Sequence, residues 1–330
     1  MPTIPLYKHP TNPNASHDVA SPGGYEFWHF DAQDPEHDRV VIVRFIIGNV
    51  FVPRYLKRYE RYRRHPTRNA PPVPREFVAV EVVAYDAGRR FHEVEFFNGD
   101  CSASMDRLDL DFWSNTVRTN GAGELTLSAA PCSRSPHLSV RFTFTPRIAG
   151  FEPGERALFE ELSTEGEHRW IIAAPLCDVT GEVRAEQPGS SGHAFAFRGV
   201  GYHDHHYGTA PLGSGLRGAF RGRVLDPEGD RCLAFQVARP RDARATDECH
   251  VIEIAGGTAR ELRLEQIEVD WPGWRSHFGP PRGARFGDQL VLTYAKGLAL
   301  TTTSAHAAYE VGAKGKRFAL PALCEMVHPR

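Results

Sequence analysis

Residues 198–212, RGVGYHDHHYGTAPL, bring His203, His205 and His206 together with Asp204, Tyr202 and Tyr207. Imidazole titrates near neutrality and burial raises a carboxylate toward the same range, so this set can exchange protons with a substrate. If the stretch is a strand, Tyr202, Asp204 and His206 share one face while His203, His205 and Tyr207 share the other. Only one set can point into a given cavity. His203 and His205, at i and i+2, could share a metal with Asp204 or a distant carboxylate. A metal shell needs three or four ligands, however, and the sequence has no second cluster at ligand spacing, so no metal is expected. The plainest alternative is a strand junction held by hydrogen bonds among these side chains and the backbone.

A second stretch, GGYEFWHFDA (23–32), alternates Tyr25, Phe27, His29 and Asp31 with Glu26, Trp28 and Phe30, which suits an aromatic core strand or a cavity wall. GSGLRG (213–218) has the spacing of a dinucleotide-binding turn, but it follows no buried strand and precedes another strand, so that reading fails. Nucleophile-elbow, phosphate-loop and His-Glu-x-x-His motifs are absent from the sequence.

The elements that must hold these residues are short and alternate with period two. Val78, Val80, Val82 and Ala84 fall on one face of EFVAVEVVAY, and Leu138, Val140, Phe142 and Phe144 on one face of LSVRFTF. RVVIVRFII, RFHEVEFF, ELTLSA, RWIIAAPL, RCLAFQV, HVIEIAG, RELRLEQIEV and QLVLTYA read the same way, separated by Gly, Pro, Asn and Asp. Antiparallel sandwiches or barrels follow, and 330 residues are enough for two domains. One segment differs: Tyr55, Tyr59 and Tyr62 recur at helical spacing among arginines, predicting a short basic helix and loop inserted between strands, with residues 54–75 a candidate lid.

With 41% hydrophobic and 24% charged residues the chain has the profile of a folded globular protein, and a net charge of −2 disfavours a nucleic-acid partner. No apolar run reaches membrane-spanning length, and the start lacks the basic-then-apolar pattern of a secretory leader. A cytoplasmic location is the expectation. The cysteines Cys101, Cys132, Cys177, Cys232, Cys249 and Cys324 form no Cys-x-x-Cys pair and are expected as reduced thiols.

Taken in order, GGYEFWHFDA, VFVPRY (50–55), RWIIAAPLCDVTGEV (169–183) and GVGYHDHHYGTAPL (199–212) resemble the carotenoid 1,2-hydratase (hydroxyneurosporene synthase) family. That family resembles a lipocalin-type superfamily to which fungal lipocalin-like Diels-Alderases are related. The resemblance implies an all-β protein of two lipocalin-like domains: a β-sandwich or open barrel over 23–212 after an extension of 1–22, then a β-barrel over 213–330. An apolar ligand cavity should lie near the junction. Carried over by position, Asp204, His205 and Tyr207 are the catalytic candidates, with His206 beside them. His206 and Tyr207 stand where the family pattern has Asn and Trp. Tyr25, Glu26, Trp28, Tyr202 and His203 are the candidate substrate-binding residues.

A cofactor-independent lyase or isomerase acting on a hydrophobic small molecule is implied. The first expectation is cyclisation or isomerisation of a polyene, terpenoid or polyketide, accelerated by confining its shape. Hydration of an isoprenoid C=C bond by acid/base catalysis is the near alternative, and a non-catalytic carrier of hydrophobic ligands is the rival from another class.

Overall fold

Alternating apolar and polar residues commit most of the described residues to antiparallel strands, which assemble into two barrel-like sheets. The structure, a computed structural model, describes residues 7–8, 12, 14–17, 19–99, 101–131, 137–153, 166–186, 192–212, 216–241, 244, 246–262, 266–272, 279–287, 290–300, 304–313, 316–317 and 320–327. Cys132, Gly213 to Gly215 of the glycine-rich stretch, and much of the 1–22 extension lie outside the described residues.

Among the described residues the first sheet has eleven strands. At its centre Tyr25–Asp34 pairs with Arg39–Ile47 on one side and His193–Gly208 on the other, and His193–Gly208 pairs in turn with His168–Glu186. The second sheet has a ten-strand count, with Leu216–Asp226 between Arg231–Pro240 and Ala322–Val327, and Ser304–Ala313 beyond. Several expected strands occur as read, including Arg39–Ile47, Val78–Asp86 and Arg89–Phe97.

Three apolar layers result from the two-residue period. Trp28, Phe30, Val43, Phe45, Val80 and Val82 fill the interior of the first sheet, and Phe220, Val224, Phe235, Val251 and Tyr309 that of the second. Where the two sheets face each other, Val40, Ile42 and Val83 meet Leu298, Ala308 and Leu323. Tyr25, Phe27, Trp170 and Tyr202 pack with Leu225 and Val327 in the same seam. The odd-numbered side of Tyr25–Asp34 therefore looks at the second sheet, and the even-numbered side looks into the first.

The basic segment forms the helix Pro53–Arg64, whose only buried residues are Tyr55 and Leu56. Tyr55 Oη donates to the Gly24 carbonyl at 2.5 Å, pinning the helix beside the turn at Gly48. Gly48 is required there: its φ is +65°, and a Cβ would stand 2.2 Å from the Gly24 oxygen. No residue of this helix lines the cavity between the sheets.

Candidate active site

The stretch from Gly201 to Gly208 is the last half of a single continuous strand, His193–Gly208. Its glycines mark close approaches: a Cβ at Gly201 would lie 2.7 Å from the Asp31 carbonyl, and one at Gly208 2.6 Å from that of Glu167. Opposite it, the His168–Glu186 strand shifts register between Ile171 and Ala174 and again between Ala174 and Cys177. Such bulges bend a strand and re-aim its side chains.

Strand alternation splits the candidates into two groups. His203, His205 and Tyr207 turn into the first sheet, where His205 stacks on Trp28 at 4.8 Å and its Nε2 lies 2.8 Å from Glu26 Oε1. His203 stacks on Phe30, and its ring nitrogens are 2.9 Å from the His29 carbonyl and 2.6 Å from Asn14 Oδ1. Tyr202, Asp204 and His206 turn the other way, into the seam. Tyr25 shares that side, with its hydroxyl against His168 Nδ1. Catalytic candidates Asp204 and His205 thus do not share a cavity, because adjacent strand residues point to opposite faces.

In the seam, Asp204 Oδ2 accepts from Tyr202 Oη and Trp170 Nε1, each at 3.0 Å, and stands 3.2 Å from His206 Nε2. Arg221, from the second sheet, places Nη1 2.5 Å from His206 Nε2 and 3.7 Å from Asp204, while its Nε donates to Glu325 Oε2 at 2.8 Å. Glu325 is also paired with Arg44, which binds Glu81 on the first sheet. A second limb runs from Arg223 to Asp31 and on to His29, whose Nε2 is 2.9 Å from Asp31 Oδ2.

All these groups are buried. Burial alone would raise Asp204, but His206 and Arg221 outweigh it and hold the carboxyl well below its usual range. Burial likewise opposes the charge on Glu325, yet Arg44 and Arg221 lower it to about 2. For His206 and His306 burial dominates and pushes each down to about 4.

A cavity of about 30 Å³ lies within this network, walled by His29, Asp31, Asp204, Arg223, His306 and Glu325 together with Trp170, Tyr202, Phe235 and Leu323. It is much smaller than the ligand pocket expected at the junction, because arginine, carboxylate and ring side chains from both sheets fill the seam. Among its wall residues, Asp204 Oδ1, His29 Nδ1, His306 Nε2, and Arg223 Nε and Nη1 are buried atoms with no protein hydrogen-bond partner. Groups of this kind can hydrogen-bond a polar molecule that enters the cavity.

The model of the carotenoid hydratase CrtC family matches residues 42–275. The chain belongs to the carotenoid hydratase family. Among curated relatives it is similar to a hydroxyneurosporene dehydrogenase of Chlorobaculum tepidum, at 25% identity over 82% of this chain and 71% of that protein. It is also similar to an acyclic carotenoid 1,2-hydratase of Thiocapsa roseopersicina, at 27% identity over 66% of this chain and 49% of the relative. The match thus spans about half the length of the Thiocapsa protein. Among solved structures, the AttH protein of Nitrosomonas europaea superposes with a TM-score of 0.66 at 14% identity, covering 100% of this chain and 99% of that one. That likeness establishes the two-domain, all-β, lipocalin-like fold of this hydratase-family chain.

Sequence reasoning named Tyr202, Asp204 and His206 but not the residues that complete their site. His29 and Asp31 were visible as a ring and a carboxylate on one face of an aromatic strand. Arg221 and Arg223 had a signal too: arginines at i and i+2 within AFRGRVL, on one side of a strand whose other residues are apolar. Glu325 and His306 gave none, since only the folding of the last strands against Leu216–Asp226 brings them to the seam.

Proposed function

We propose that this chain is an enzyme that adds water across a C=C bond of an acyclic, hydrophobic isoprenoid, and that Asp204 and His29 carry the reaction. Its membership of the carotenoid hydratase family supports the substrate class. The single observation that favours hydration over cyclisation is Asp204 Oδ1, a buried carboxylate oxygen with no protein partner at the wall of a small cavity. Its other oxygen is already occupied by Tyr202 and Trp170, so the free one can hold a water molecule and take its proton.

His29 is directly opposite Asp204 in the strand pairing, which sets the two Cβ atoms roughly 5 Å apart. Asp31, fixed by Arg223, binds His29 Nε2 and leaves Nδ1 at the cavity wall. The protonated ring gives its Nδ1 proton to the terminal alkene carbon, and the neighbouring carbon becomes a tertiary cation. The Asp204 carboxylate and the faces of Trp170 and Tyr202 stabilise that charge. Water held on Oδ1 bonds to the cation and releases a proton to Asp204, which returns it to His29. One water is consumed and no net proton. A cavity of about 30 Å³ admits the water and little more, so the polyene terminus must part the seam to enter.

The test is turnover of an acyclic carotenoid by Asp204→Asn and His29→Gln, followed by mass spectrometry. Each variant is expected to lose about 10² to 10⁴ of the rate. Full turnover in both variants would remove this mechanism and return cyclisation by confinement to first place; ligand binding without any turnover in the unmodified protein would favour a carrier.

A further inference from the structure

On the other face of the same strand, a separate group of side chains lies together that the reaction above does not use. Residues 14–17 dock against the interior-facing side of Tyr25–Asp34 and His193–Gly208. The Asn14 carbonyl accepts from Trp28 Nε1 at 3.3 Å, its side-chain oxygen meets His203, and the Ser16 amide donates to the Ser104 carbonyl at 2.8 Å. This brings His17 over Glu26 and His205.

The three ligand atoms, His17 Nδ1, Glu26 Oε1 and His205 Nε2, lie within 4.8 Å of one another. His17 Nδ1 and His205 Nε2 are 3.0 and 2.8 Å from the carboxylate oxygen. Donor atoms around a four-coordinate zinc ion at metal–nitrogen distances near 2.0 Å stand roughly 3.3 Å apart, so the two nitrogen–oxygen separations need to open by a few tenths of an ångström, while the two ring nitrogens, within 4.8 Å of each other, are in range of one ion. The ring planes are set by stacking: Tyr207 covers His17 at 3.6 Å and 10°, and Trp28 covers His205 at 4.8 Å and 15°. An outer layer also exists, because Ser16 Oγ donates to Glu26 Oε2 at 2.8 Å and the His17 amide donates to Oε1 at 2.8 Å. Such partners orient metal-binding carboxylates.

Glu26 and His205 are fully buried, whereas the His17 side chain is 31% exposed. An ion can therefore arrive from the solvent side onto two fixed ligands and be closed over by the third. We propose that His17, Glu26 and His205 form a binding site for a divalent first-row transition-metal ion, zinc or ferrous iron, that fastens the N-terminal segment onto the first sheet. Two imidazoles and one carboxylate are the donor set these ions share. The histidine pair at i and i+2 suggested by the sequence is not the pair that forms, since His203 turns to Asn14; the missing ligand comes from the N-terminal segment. The inference is independent of the hydration mechanism, whose groups lie on the opposite face.

The experiment uses the full, untagged chain, stripped with a chelator and dialysed against Zn²⁺, or against Fe²⁺ without oxygen, with bound metal measured by mass spectrometry and thermal unfolding followed in parallel. One ion per chain is expected, together with a rise in Tm, because an ion that binds only the folded chain stabilises it. His17→Ala should weaken binding by at least about 100-fold, and Ser16→Ala, which removes an outer partner, by about 10-fold to 100-fold. Both changes lie on the docked segment and leave the sheet core untouched, so misfolding does not obscure the result. Substoichiometric metal at saturation, or equal affinity in His17→Ala, would overturn the proposal.

Discussion

Replacing Arg221 by methionine tests whether the seam is held by its charges. The arginine makes two contacts with Glu325, at 2.8 Å from Nε and 2.7 Å from Nη2, and lies 3.7 Å from Asp204. Methionine fills much of the volume but leaves two buried carboxylates short of a cation. Breaking a buried ion pair from one side costs roughly 3 to 5 kcal/mol. Glu325 keeps Arg44 and Asp204 keeps Tyr202 and Trp170, which places the expected loss near the lower end, about 3 kcal/mol. Urea unfolding gives the value directly if the slope of the transition is unchanged. Adding Glu325→Leu to Arg221→Met removes both charges together and should recover more than half of the loss. In the corresponding cycle with Asp204→Asn, a coupling of about 1 kcal/mol or more is expected across the two sheets. A single-variant loss below about 1 kcal/mol would refute the reasoning, since it would mean that water reaches the seam and screens these groups.

Three further outcomes follow from the same structure. Burial opposes the charge on His250, but both ring nitrogens donate to carboxylates, to Glu261 at 2.7 Å and Glu248 at 2.9 Å, and this pushes it up to about 9. The folded chain therefore holds the proton more tightly than the unfolded one. The resulting stability, on the order of 3 kcal/mol at most, is fully present below about pH 6.5 and is lost as pH rises through about 9. His250→Gln should flatten the urea midpoint across that window. Gly48→Ala should destabilise the protein by about 1 to 3 kcal/mol through its positive φ and the clash with the Gly24 carbonyl, read as a fall in Tm. Tyr55→Phe, which deletes only the hydroxyl bonded to that carbonyl, should cost about 1 kcal/mol and speed proteolysis at the helix.

Much of the sheet architecture was legible because period-two alternation over Val78–Asp86 or Arg39–Ile47 leaves few options for a half-buried segment. Short strands such as Asp109–Phe112 and Asn115–Thr119 escaped, since alternation over only four or five residues, as in DLDF, is too brief to mark a strand. The seam was harder for a different reason. Its chemistry depends on charges from Arg44, Arg221, Arg223 and Glu325, and in a sequence such residues read as surface until a second sheet is known to cover them. The alternation of Tyr202 to Tyr207 gave the correct division into two faces. It could not say that each face would be matched by its own partners, Arg221 on one side and His17 on the other.

The most direct test of hydration is to supply an acyclic carotenoid to the enzyme in water labelled with oxygen-18. The account predicts a product heavier by one labelled water, with the label retained in a tertiary alcohol, and no such product from Asp204→Asn. A product of unchanged mass formed at the same rate by both proteins would contradict it.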